Sequence, residues 1–231
     1  MQPPTTKKSV QKLIGRLAAL SRFISRSAEK SLPFFEVLKG TNPFEWGPKQ
    51  QEVFEELKSY LINLTTLLQP EHGATLLLYV AAAPSAVNAV LVQEKQVDGQ
   101  KKQSPVYFVS KALTPTKSNY SEIEKIAYVV VMASRKLRHY FQAHKIMVPS
   151  SQPLNDVLRN REASGRIGKW AAELNEFVLD FIHRLLPRHM YKYFISFCVF
   201  FTIFMRQLYL LLTIITNYCG FCNIVLEICY M

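Results

Sequence analysis

No cysteine occurs in the first 197 residues of this 231-residue chain; Cys198, Cys219, Cys222 and Cys229 all fall in its last 34. A disulfide framework is thereby excluded for everything before them. Cys219 and Cys222 have C-x-x-C spacing, but a structural zinc site needs a second such pair or histidines. Cys198 and Cys229 are single and His189 is distant, so the four read as incidental cysteines of an apolar tail. Neither G-x-x-x-x-G-K-[S/T] nor G-x-G-x-x-G occurs, which excludes a phosphate loop of either kind. Met1 to Val10 is polar, with Pro3, Pro4, Lys7 and Lys8 and no apolar stretch, so no secretory signal is expected. Acid is the scarcer charge: 17 acidic residues face 28 basic ones, for a formal net charge of +11. A basic balance suits a polyanionic partner, because each neutralised phosphate releases counterions. It equally suits a surface that is merely soluble. With 49% hydrophobic and 19% charged residues, the chain can bury a core and is not globally disordered.

Three regions separate by composition. In the first, Leu13, Leu17, Leu20 and Ile24 recur at helical spacing, and Pro33 follows as an expected breaker. Asn42 to Pro48 reads as a turn carrying Phe44 and Trp46. A second amphipathic helix presents Val53, Phe54, Leu57, Tyr60 and Leu61 on one face. In the second region, Thr75–Val80 and Ala86–Val92 read as strands, and Pro105–Val109 as a third. Gln93–Lys102, with Asp98-Gly99, reads as a long polar hairpin connection between the last two. Ser121–Phe141 reads as one long helix, with Ile123, Ala127, Val130, Ser134, Leu137 and Phe141 on a single stripe. Ser121 can cap it, and Glu122 and Glu124 suit its positive end. Lys145–Val148 follows as a strand, Pro153–Arg159 and Gly165–Leu174 as helices, and Phe177–Ile182 as a last strand. The expected core is Leu77, Tyr79, Val90, Val106, Phe108, Ala127, Val130, Leu137, Val148 and Leu154. In the third region Tyr193–Thr216 carries one charge, Arg206, over 24 residues.

The order β-β-β-α-β-α-α-β is that of a ribonuclease H fold, and five phrases in correct order agree with it. Leu17–Lys39 resembles the join between reverse transcriptase thumb and connection. Phe44–Leu61, "FEWGPKQQEVFEELKSYL", resembles an aromatic-x-Trp phrase followed by A/V-F-x-x-L-K. Pro105–Leu113, "PVYFVSKAL", resembles the third strand and its Ser-Lys-x-Leu exit. Asn119–Phe141 resembles the long helix of the family, and Gly165–Phe181 its later G-R…W-x-x-x-L-x-x-F block. Over roughly residues 10–184 the chain resembles the reverse transcriptase/RNase H-like region of gypsy-type LTR retrotransposons, in a fragmentary and degenerate form.

The resemblance implies an α/β (mixed α+β) RNase H-like fold, with a five-stranded mixed sheet and flanking helices, over residues 71–184. A helical C-terminal part of the thumb and connection would precede it over residues 1–70, and an apolar tail would follow over 185–231. It also implies hydrolysis of RNA in RNA–DNA hybrids, with Mg²⁺ as cofactor, in a nuclear or cytoplasmic setting. In that chemistry two divalent cations held by four carboxylates clamp the attacking and leaving oxygens. Carried over, the first carboxylate falls at Ala81 and the third at Ser151; the fourth would lie beyond Arg184, where the family pattern stops. Only the helix carboxylate, Glu124, is present, and as a first-turn Glu it is equally explained by helix capping. One carboxylate cannot hold two hard cations, so no metal site and no cleavage are expected, although the family is that of RNA-directed DNA polymerases with ribonuclease H. The polymerase palm is not in this chain. A weak, electrostatic nucleic-acid partner is expected through Lys111, Lys117, Arg135 and Arg138, with no small-molecule substrate. The alternatives are a non-catalytic nucleic-acid-binding or interaction domain, and a remnant anchored in a membrane. Residues 193–216 are long enough for a transmembrane helix, but their abrupt replacement of the family pattern favours a translated intron or frameshifted stretch.

Overall fold

The computed structural model describes residues 2–39, 43–64, 66–97, 100–160 and 165–183. The tail over 185–231, and with it the membrane and C-x-x-C readings, lies outside the described residues. Among the described residues no helix is long and apolar enough to cross a membrane.

Five strands form one mixed sheet in the order β3-β2-β1-β4-β5. They are β1 (Leu76–Ala82), β2 (Ala86–Val97), β3 (Gln100–Ala112), β4 (Ile146–Ser150) and β5 (Leu179–His183). β1, β2 and β3 are antiparallel neighbours; β4 runs parallel to both β1 and β5. The expected mixed five-stranded sheet is therefore present. Its hairpin differs from expectation. Residues read as a long polar connection are paired as strand, with Glu94 opposite Gln103 and Lys95 opposite Lys102. Their polarity reflects solvent on the extended hairpin, and backbone pairing needs no apolar side chain.

The face of β1 also corrects the sequence reading. Leu76, Leu78 and Val80 are the buried set, while Leu77 and Tyr79 are only half-buried. A strand that is apolar at consecutive positions gives no period-2 signal, and a one-residue shift exchanges its faces. Phe108 is likewise half-buried, and Val106 and Val109 point into the core instead. The cause is a β-bulge: the register steps from Leu91↔Tyr107 to Val92↔Pro105, leaving Val106 as the extra residue. The other expected core residues, Val90, Ala127, Val130, Leu137, Val148 and Leu154, are buried.

The helices are α1 (Lys7–Leu20), α2 (Ser27–Leu38), α3 (Pro48–Ile62), α4 (Pro115–Ser118), α5 (Glu122–Lys136), α6 (Arg138–Ala143), α7 (Leu154–Leu158) and α8 (Gly165–Leu174). The long helix expected to reach Phe141 is broken at Leu137, whose φ −113° and ψ 30° are not helical, so α5 and α6 are separate. Every residue from Ile126 to Ser134 is buried, so α5 has no solvent stripe over its middle. Such a helix is a core element. It packs on β1 and β2 and is flanked by α7 and α8.

The opposite face of the sheet meets the N-terminal helices. Pro33, expected as a breaker, sits buried inside α2. The helix is retained because Phe34 beside it is fully buried and stacks on Trp46, ring centroids 5.8 Å apart, while Trp46 in turn meets Phe54 edge-on at 5.9 Å. α2 is tied to the sheet by a polar chain. Ser110 Oγ donates to Asn88 Oδ1 (2.7 Å), Asn88 Nδ2 donates to Glu29 Oε1 (2.6 Å), and Ala28 N donates to Ser110 Oγ (3.0 Å). Glu29 also pairs with Arg26, which sits at φ 53° as the residue before α2.

Candidate functional site: one end of the sheet

Chain direction brings the relevant residues to one end of the sheet. β1 and β4 are parallel and finish at Ala82 and Ser150. β3, antiparallel to β2, finishes at Ala112 at that same end, and the chain then passes through α4 into α5. The first turn of α5 therefore lies toward the same end of the sheet as the finishing ends of β1 and β4.

This end offers few donors for a metal. Ala81 pairs with Asn88 in the sheet and has only a methyl group. Ser150 closes β4 buried, its Oγ accepting from Gln152 N at 3.0 Å; Ser151 follows, exposed. Asp156 is exposed on α7. Among the described residues no three of His, Cys, Asp and Glu come together as a potential metal cluster. The expected fourth carboxylate lies outside the described residues.

Glu124 is engaged through both carboxylate oxygens. It is the third residue of α5, and its Oε2 accepts from Ser121 N and Ser121 Oγ, both at 2.9 Å, while Ser121 Oγ accepts from Glu124 N at 3.4 Å. This is a reciprocal capping box. Oε1 faces Arg166 Nε at 3.6 Å. The Ser121 N–H holds the Glu124 carboxyl below the usual carboxylate range, helped by the Ser121 hydroxyl and by Arg166. The Glu124 oxygens are engaged by the helix terminus and by a guanidinium, so the described residues do not by themselves fit the Mg²⁺ pair that the resemblance implies.

The four expected nucleic-acid contacts divide into two pairs. Arg135 makes a two-pronged ion pair with Glu173, Nε and Nη2 donating at 2.7 Å each. That hydrogen-bonded pairing raises the Arg135 pKa and lowers that of Glu173. Arg138 donates to Glu176 at 2.9 Å. These arginines tie α5 and α6 to α8 and the residues just after it, and much of their charge is already answered. Lys111 and Lys117 differ. Lys117 Nζ donates to Tyr128 Oη at 3.0 Å, and the ammonium groups of Lys117 and Lys111 lie 4.5 and 6.0 Å from the Tyr128 ring centroid. Burial pushes the Tyr128 phenol up, but the approach of Lys117 and Lys111 outweighs it, and the net shift is downward.

Sequence reading missed what surrounds them. Tyr120, Tyr128 and Trp170 form a triangle of rings with centroids 5.8 to 6.4 Å apart, and the Arg166 guanidinium lies 4.4 Å from the Tyr120 centroid. These residues come from the segment before α5, from α5 and from α8, so no local pattern joins them.

Taken together, the sheet order and the central helix on β1 and β2 define a mixed α/β domain with a five-stranded sheet. Residues 46–148 match the family described as the RNase H-like domain found in reverse transcriptase. Over 183 residues the chain is 28% identical to the retrovirus-related Pol polyprotein from transposon 297 of Drosophila melanogaster, covering 78% of this chain and 16% of that protein. It is 24% identical to the transposon Tf2-3 polyprotein of Schizosaccharomyces pombe, covering 78% of this chain and 14% of the relative. The chain thus spans less than a fifth of the length of these relatives. Its fold is similar to that of a foamy viral protease-reverse transcriptase solved with double-stranded DNA (TM-score 0.63, 21% identity, 81% of this chain and 34% of that one). It is similar again to the same kind of protein solved with an RNA/DNA hybrid (TM-score 0.62, 19% identity, 81% of this chain and 26% of that one). Residues 46–148 are thus similar to the RNase H-like domain found in reverse transcriptase, and the chain as a whole is similar to the Pol polyproteins of transposons.

Proposed function

We propose that the chain is part of a gypsy-type LTR retrotransposon polyprotein in which residues 71–184 form an RNase H-like domain that binds a nucleic-acid duplex without cleaving it. Residues 1–70 are assigned to the end of the reverse transcriptase thumb and connection. The gypsy assignment rests on the five phrases between Leu17 and Phe181. The observation that carries the loss of cleavage is the state of Glu124: the one carboxylate at a matching position is bound to Ser121 and faces Arg166, while Ala81 and Ser151 supply none. Hydrolysis of a phosphodiester by this family depends on metals that activate water and steady the leaving oxygen, and these residues do not form their cage. Retained binding is supported by the net charge of +11 and by fold neighbours solved with double-stranded DNA and with an RNA/DNA hybrid. The test is incubation of the full chain with an end-labelled RNA–DNA hybrid in Mg²⁺ or Mn²⁺, with binding followed in parallel by anisotropy. Binding without cleavage is the expected result. Cleavage that disappears in Glu124→Gln would overturn the reading.

A further inference from the structure

Some surface cations are paired with carboxylates and others are not. Arg26, Lys49, Lys58, Lys95, Arg135 and Arg138 each face a carboxylate. Lys111 and Lys117 have no carboxylate ion-paired with them among the described residues, yet both converge on one ring. Lys111 leaves the end of β3 exposed, and Lys117 stands half-buried on α4. Two ammonium groups sharing a single phenol repel each other, and an anion seated between them removes that repulsion.

The surroundings favour an anion as well. Glu124 is held in the capping box and faces Arg166. A further cation, Arg166, lies 4.4 Å from the centroid of the adjoining Tyr120 ring. The phenol beneath is fixed: Tyr128 is 5% exposed and wedged against Tyr120 and Trp170, so it holds its lysines in place at little cost in side-chain entropy.

We propose that Lys111 and Lys117, positioned by Tyr128 beside the Tyr120 and Trp170 rings, form a site for one backbone phosphate of a nucleic-acid duplex. The proposal rests on the nucleic-acid reading above and narrows it: of the four cations expected from sequence, these two bind and the carboxylate-paired arginines do not. The site lies beside the strand ends where the family's carboxylates would stand. A duplex seated there would rest on cations at a place where an active relative presents metal ligands.

The test uses the full chain and a fluorescein-labelled RNA–DNA hybrid, with affinity measured over a salt series. Each phosphate contact contributes about 0.9 to the magnitude of the log–log salt slope. The double variant Lys111→Gln/Lys117→Gln should therefore lose about 1.8 from that slope and bind roughly tenfold more weakly near physiological salt. Lys12→Gln on α1 and Arg138→Gln remove the same kind of charge elsewhere and should leave the slope unchanged. Lys111→Arg/Lys117→Arg keeps both charges and should keep the slope, which guards against a folding artefact at the half-buried position. Tyr128→Phe keeps both charges too; it should weaken binding severalfold at constant slope, as loss of a positioning group would. If the double Gln variant matches Lys12→Gln, the site is wrong while the nucleic-acid reading stands. If the unmodified chain binds no hybrid at all, both fall.

Discussion

Beneath α5 the sheet is packed by Leu76, Leu78, Val80, Ile146 and Val148 against a helix buried from Ile126 to Ser134. A few residues further along the same strands, at their finishing ends, the side chains are Ala81, Ser150 and Ser151, and the neighbouring Glu124 is bound to its own helix cap. The first region has the fully buried residues that a stable core needs; the second has Ala and Ser where the resemblance leads one to expect carboxylates. The difference shows that the two demands are separable. A cluster of carboxylates is held against mutual repulsion and contributes nothing to packing, so replacing its members by Ala and Ser leaves the core intact. Removing the leucines would not.

The sharpest way to break this comparison is Leu78→Ala. Leu78 is fully buried between β1 and α5, and its truncation should lower unfolding free energy by about 3 kcal/mol in a urea titration. A loss below about 1 kcal/mol would mean that the α5 face is not the stabilising one. On the opposite face, Asn88→Ala leaves a Glu29 oxygen and the Ser110 hydroxyl without their buried partner and should cost about 2 kcal/mol. Ser121→Ala removes the side chain that caps α5 and should cost about 1 kcal/mol, again by denaturant midpoint. Glu124→Gln should cost less than that and should change hybrid binding little.

Two positions, Glu124 and Lys30 on α2, carry a pH signature. Because its pKa is depressed in the fold, Glu124 contributes stability that is present above the unfolded carboxylate pKa and lost as pH falls through the lower folded value. Ser121→Ala should flatten the acid limb of the stability curve. Lys30 behaves in the same sense at the alkaline end. Burial, then the nearby Arg26 charge, lowers it to about 8, although Glu56 and Glu29 pull the other way and its ammonium lies 3.5 Å from the Tyr60 centroid. Between about 8 and the ordinary lysine value of 10.5 the unfolded chain binds the extra proton, so stability should rise with pH across that window. Lys30→Met should abolish the rise; a rise that persists would place its source elsewhere.

The order of strands and helices, the capping of α5 by Ser121 and the basic surplus could all be read from the sequence, because each is a local or compositional property. The faces of β1 could not. Leu76 to Val80 is apolar throughout, and only pairing with β2 and β4 decided which side chains turn inward. The extent of the hairpin was hidden for the opposite reason: strand residues facing solvent look like a loop. Pro33 inside α2 was decided by the burial of Phe34 against Trp46, which outweighs a proline's local cost. The division of the cations was decided by partners distant in sequence. Arg135 met Glu173 and Arg138 met Glu176, both 38 residues away, whereas Lys111 and Lys117 met a phenol. A sequence records that a charge exists; whether it is already neutralised depends on which side chains the fold brings within a few ångströms of it.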